Sequence, residues 1–285
     1  MKIFSWLRFG PFFLVLHVLW IFSGVGPQTA FGAPVEGKGK YAGMVLIPAG
    51  PFTMGRNGGP PDEKPAHKVH LPAYYIDKNL VTWVQYAEFI RKKGPTGPKG
   101  EMYLDVEDQD NRILFDKDSW AVEKGFEKFP AGELAWHGAI AYCKWKGKRL
   151  PSEAEWEKAA RGTDARLYPW GNQKPAKDLA FFGSYRNDVA PVGRYPKGAS
   201  PYGVLDMAGQ VWEWTRSLYR PYPYKPKDGR ESFKVHDGRV ARGGNTSSDN
   251  AGLTSTSRVP VYPERLDGGH RYFGFRCASK TELLL

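Results

Sequence analysis

At 285 residues and a formal charge of +11, the chain carries 41 Lys and Arg against 30 Asp and Glu. The basic residues are scattered and form no run, so the excess reads as a solvated surface and excludes a nucleic-acid stripe. Glycine (33), proline (23), tyrosine (15) and tryptophan (10) are abundant, which excludes a helical bundle and predicts a loop-rich domain pinned by aromatic packing.

In chain order, Lys2 and Arg8 precede an apolar run from Phe9 to about Val25, with small residues at Ser23, Gly24 and Gly26. These are the parts of a secretory signal, with the cut expected after Gly32. The alternative is a retained anchor, but a run of roughly 17 residues is at the short edge of a bilayer span. Residues 1–32 are therefore expected to leave. The mature protein is expected to be exported, periplasmic or secreted, monomeric and without stable membrane insertion. Residues 33–43 read as a flexible lead-in and 44–280 as one domain, since no repeat or linker interrupts them.

Met44 to Gly55 predicts a strand, a Pro-Gly turn and a second strand. Lys68 to Tyr75 alternates polar and apolar residues, as one half-buried strand should. A helix follows Thr82, its expected N-cap, with Tyr86, Phe89 and Ile90 at helical spacing. Lys92 to Phe129 is charged and broken by Gly and Pro, and reads as a surface insertion. A second helix is expected over Trp136 to Trp145, ending at Gly147. A third runs from Ser152, with Glu155 completing a capping box and Gly162 closing it. Beyond it only short strands and turns are expected. Cys143 and Cys277 are the whole thiol inventory, and composition leaves open a disulfide, two buried thiols or a metal pair. A bridge would close a loop of over a hundred residues, which the loop-entropy model values at roughly 4–5 kcal/mol.

Several signatures then fall in one order: Ile47-Pro48-Ala49-Gly50 with Phe52-Thr53-Met54-Gly55, Ala141-Tyr142-Cys143-Lys144-Trp145, Arg149-Leu150-Pro151 with Glu153-Ala154-Glu155-Trp156-Glu157, Tyr168-Pro169-Trp170-Gly171-Asn172, Gly203 to Trp214, Arg239 to Gly244, and Gly274-Phe275-Arg276. Together they resemble the formylglycine-generating-enzyme, or sulfatase-modifying-factor, family, a relative of the C-type lectin architecture. The resemblance implies an α+β fold, loop-rich, with short strands and a few helices. It also implies a Cys143–Cys277 disulfide.

Active members of that family are similar to copper-dependent oxidases that hold Cu(I) on two thiolates after Arg-Gly-Gly. The matching positions here are Ser248 and Leu253, and no cysteine lies between Asn245 and Arg258. No copper is expected, oxidation of a sulfatase cysteine is not expected, and whether other catalysis remains is open. Asp206, Gly209, Val211 and Glu213 match a calcium site of the family, and their oxygen donors suit a hard cation. The alternative is a turn cap at Asp206 and a buried hydrogen bond at Glu213. A second family calcium site lacks its acids near Phe181 and Arg186. Trp214, Asn245, Ser248, Asp249, Asn250 and Arg258 form the expected ligand cleft, although core packing is the default for Trp212 and Trp214. His67 and His70 do not point to a shared metal, and His236 and His270 lie near the cleft by analogy alone. These features fit an exported maturation or accessory factor with an unknown protein or small-molecule partner. A lectin-like ligand-binding module is the alternative. A sulfur–carbon bond former would need a helical domain with a three-histidine iron motif, which this chain lacks.

Overall fold

The apolar run after the lead-in folds as Met44–Ile47 (β1), turns at Pro48 and returns as Gly50–Met54 (β2). β2 pairs antiparallel with His67–Leu71 (β3), setting Phe52 opposite Val69. The single strand expected over Lys68 to Tyr75 is divided. Pro72 has no N–H to give a ladder, and the chain restarts as Tyr74–Asp77 (β4), which pairs with β1 in a different sheet. These strands belong to a computed structural model that describes residues 33–184, 188–262 and 272–282. The chain partitions into Met1–Ala30 and Phe31–Leu285, and the described residues belong to the second unit. The expected signal segment, Arg186 and His270 lie outside them. Among the described residues no helix is long and apolar enough to cross a membrane.

Thr82 caps Trp83–Lys93 (α1) in a reciprocal capping box with Gln85, and Tyr86, Phe89 and Ile90 turn into the core. The insertion is more ordered than its composition suggests. It carries a hairpin, Ile113–Asp116 (β5) and Ser119–Val122 (β6), joined through Lys117 and Asp118, both at positive φ. Ile113 and Leu104 are buried, and Arg91 of α1 donates to the Trp120 carbonyl at 3.1 Å.

Trp136–Trp145 (α2) and Glu153–Arg161 (α3) follow. Ser152 and Glu155 form the capping box at α3, whose residues are all buried, charged ones included. Then come Trp212–Leu218 (β7), Arg239–Arg242 (β8), Arg258–Val261 (β9), Phe273–Gly274 (β10) and Ala278–Lys280 (β11). One sheet has the order β10-β7-β8-β9, with β10 parallel to β7; another has the order β1-β4-β11. One apolar core gathers α1, α2, Trp214 and Phe275, and a second gathers β1, β2 and Trp156 of α3. Cys143 of α2 and Cys277 form a disulfide, with Cα atoms 5.6 Å apart and both residues fully buried.

Candidate functional site

β8 delivers the chain to Gly243 and Gly244, at φ 98° and 72°, which swing it off the sheet into the 245–258 segment. A Cβ on Gly244 would lie 2.7 Å from the Gly252 carbonyl oxygen, so only glycine allows the segment to fold back this closely. The turn is closed by its own side chains. Ser248 Oγ accepts from Asn245 N at 2.9 Å and donates to Asn245 Oδ1 at 3.0 Å. Ser247 donates to the same Oδ1 through its backbone N and its Oγ, and Asp249 Oδ1 accepts from Gly252 N at 2.9 Å. Asp249 and Asn250 are exposed at the tip.

Leu253 points the other way. It is fully buried against Tyr168 and Ala208. The two positions that the sequence resemblance matches to the family's copper thiolates are thus a hydroxyl committed to a turn and an aliphatic plug.

Trp214 and Arg258 are not beside that turn's surface. Trp214 is fully buried and donates from Nε1 to the Leu134 carbonyl at 3.4 Å, so it packs in the core and offers no wall to a ligand. Arg258 is held by Glu153, with Nε to Oε1 at 2.7 Å and Nη2 to Oε2 at 3.0 Å. Its Nη1 donates to the carbonyls of Asp62 and Arg220, and the rings of Tyr219 and Tyr222 flank it at 4.3 and 4.4 Å. A guanidinium with these partners bolts β9 to α3 and is closed to a ligand. Of the expected cleft, Asn245, Ser248, Asp249 and Asn250 stay together.

The 206–213 segment makes two left-handed turns, with positive φ at Asp206 (56°), Gly209 (77°) and Gln210 (61°). A Cβ on Gly209 would sit 2.3 Å from the Phe181 carbonyl oxygen, so this turn requires glycine. Asp206 Oδ2 accepts from Gly193 N at 2.6 Å, whereas its Oδ1 is buried without a hydrogen bond. Both Glu213 oxygens accept from Arg276, Oε2 from Nε at 2.6 Å and Oε1 from Nη2 at 2.9 Å. Burial raises the pKa of both carboxyls, against the pull of Arg276.

Two carboxylates and one guanidinium leave this buried trio one negative charge in excess. A carboxylate oxygen that accepts one hydrogen bond keeps a second lone pair. Both Glu213 oxygens are held by Arg276, and Asp206 Oδ1 is the oxygen of the two carboxylates left without a hydrogen bond. Val211, next in the segment, is buried.

The remaining candidates have structural duties or none visible. His67 Nε2 accepts from Tyr224 N at 2.7 Å, so its Nδ1 carries the proton and donates to the Pro65 carbonyl. That pins the 222–224 loop. His70 and His236 are exposed. Sequence reasoning missed a cavity of about 410 Å³ that has Val211 in its wall, where Asp110 and Arg112 of the insertion meet Glu133 and Asp188. Its only trace in the sequence is the acidic stretch from Asp105 to Asp110.

The comparisons with known proteins agree with this fold. Residues 30–281 match the sulfatase-modifying factor enzyme 1-like domain. The serine/threonine-protein kinase pkn1 of Chlamydia caviae is 34% identical over 84% of this chain, but this chain spans only 38% of that protein's length. The inactive C-alpha-formylglycine-generating enzyme 2 of Mus musculus is 32% identical, over 86% of this chain and 88% of the mouse protein. Among solved structures, PvdO from Pseudomonas aeruginosa superposes with a TM-score of 0.67 at 24% identity, covering 88% of this chain and 98% of PvdO, which shows a shared fold. With a domain match across almost the whole described region, the chain belongs to the sulfatase-modifying-factor, or formylglycine-generating-enzyme-like, family.

Proposed function

We propose that the chain is an exported maturation or accessory factor of this family that does not carry out copper-dependent cysteine oxidation. The observation that carries the reading is the sulfur inventory. The chain has two cysteines, both are joined in the buried disulfide, and Ser248 and Leu253 stand where the family holds copper. A hydroxyl and an aliphatic side chain cannot ligate Cu(I), and sulfurs locked in a disulfide cannot act as thiolates. The mouse relative, whose name calls it inactive, supports the idea that the fold persists without the oxidase. In this reading the exposed tip at Asp249 and Asn250 faces a protein or small-molecule partner in the exported compartment. Asp206 and Glu213, with the backbone at Gly209 and Val211, hold a calcium ion that braces the neighbouring turn.

The test is intact mass and metal content of the purified mature protein, with and without reductant, after loading with calcium and with Cu(I). The expected result is a mass lower by the two thiol hydrogens, about one calcium lost in the Asp206→Ala variant, and no retained copper. Two free thiols with bound copper, or turnover of a sulfatase-type cysteine peptide, would sink the proposal. Failure of calcium alone would remove the brace and leave the sulfur argument standing.

A further inference from the structure

Four lysines that are far apart in sequence meet beside β11, the end strand of its sheet. Lys40 comes from the lead-in, Lys146 and Lys148 from the turn after α2, and Lys280 from β11 itself. With Tyr41, Thr281 and Glu282 they line a groove of about 360 Å³. A second hollow, with Gly43, Asp77 and Gln85 in its lining, shares Lys146 and Lys148 with the first. The groove is stapled together through Tyr41. Its ring stacks on Tyr75 with centres 4.0 Å apart, and its hydroxyl donates to the Lys280 carbonyl and accepts from Glu282 N, both at 3.1 Å.

The acids that meet these lysines are not equivalent. Lys148 is committed to Asp77 at 2.6 Å, in a pair that is largely buried. Lys146 meets Glu88 at 3.2 Å and Lys40 meets Glu282, and these four side chains are all exposed. Exposed pairs of this kind hold weakly and open to a competing anion. Lys280 is exposed and makes no ion pair among the described residues.

The chain enters the domain on the same side. In the lead-in, Val35 O accepts from Leu46 N at 2.9 Å and Gly37 N donates to Met44 O at 2.8 Å, so it lies along β1 before it reaches Lys40 and Tyr41. The apolar run that ends near Val25 stands ten residues before Val35, a reach of at most about 35 Å of extended chain. While that run is engaged with a membrane during export, Val35 is held within this distance of the lipid, and the lysines begin five residues further on.

We propose that this groove is a contact surface for an anionic membrane, with Lys40, Lys146 and Lys280 reaching the phosphates of acidic lipids. A lysine ammonium is a compact point charge that suits a phosphate oxygen, and the negative potential of an acidic lipid surface draws each such charge toward it. The tether argument rests on the proposed export, and the groove argument does not.

The experiment reads the groove alone, by using residues 33–285, which lie within the second unit of the chain and lack the apolar run. It is co-sedimentation with vesicles of phosphatidylcholine, and of phosphatidylcholine with one third phosphatidylglycerol, at low and at high salt. The acidic vesicles are expected to bind about tenfold tighter or more, and salt should weaken that binding. Lys146→Gln and Lys280→Gln should each weaken it about fivefold, the worth of one charge near such a surface. Lys225→Gln/Lys227→Gln removes two exposed lysines that line neither hollow, and should change it little.

Equal binding to both kinds of vesicle overturns the proposal, as does binding to neither. An equal loss in Lys225→Gln/Lys227→Gln also overturns it, by assigning the attraction to overall charge. Full displacement by glycerol phosphate, at the phosphate concentration of the vesicles, would overturn it by making the groove a pocket for a soluble phosphate.

Discussion

Arg258 and Glu153 meet where neither side chain reaches water, and Glu157 is likewise sealed against Arg242. Each ion is costly to bury alone, and these pairs persist with further support: Arg258 also donates to the Asp62 and Arg220 carbonyls, and Arg242 to those of Ser255, Thr256 and Ser257. Lys158 differs. It is only 1% exposed, and its Nζ donates to two neutral carbonyls, Pro48 at 2.6 Å and Gly50 at 3.0 Å. Burial pushes its pKa down from 10.5 to about 8. Since the folded pKa lies below the unfolded one, the unfolded chain binds more protons between those values, and stability rises with pH across that window. The full penalty stands below about 8. Melting temperature measured from about pH 7.5 to 9.5 should therefore climb in the wild type relative to Lys158→Met. Parallel pH profiles for the two proteins would refute this. At this scale sequence reading has a clear limit. The partner that buries Arg258 lies 105 residues earlier, and no local pattern announces that a charged residue will be enclosed. The same holds for Trp214, whose strand alternation suits a core or a cleft equally.

Elements fared better where their signals are local. Thr82 with Gln85 and Ser152 with Glu155 form capping boxes because each is a short-range exchange of two hydrogen bonds. Ser152→Ala should lower stability by about 1 kcal/mol, seen in denaturant as a lower midpoint with an unchanged slope. A changed slope would instead mean that the α3 end shapes the whole core. Two elements escaped sequence reading. Pro72 breaks an alternation that otherwise continues to Tyr75, so one expected strand became two in different sheets. The β5–β6 hairpin turns on Lys117 and Asp118, which lack the glycine or asparagine that announces a left-handed turn. The insertion's part in lining a cavity could not be read either, because Glu133 and Asp188, which share that lining, lie outside it in sequence.

For the whole molecule, the disulfide joins α2 to the segment between β10 and β11, with a sequence separation of 134. The loop-entropy model assigns such a bridge about 4–5 kcal/mol, a large part of the roughly 5–15 kcal/mol typical of folded domains. The Cys143→Ser/Cys277→Ser double variant should accordingly melt well below the wild type, and reductant should bring the wild type toward it. Equal melting temperatures would show that packing around Phe275 suffices without the bond.

The last strands also tie together parts laid down much earlier. β10 pairs with β7, β11 with β4, and Arg276 between them donates to carbonyls at Asp77, Lys78 and Leu205 as well as to Glu213. A chain that leaves the ribosome from its N-terminus cannot complete either sheet until residues 273–280 have emerged. Until then its earlier strands remain unsealed, which exposes the chain to proteases. Completion of both sheets therefore waits for the end of the domain, where the clasp closes last.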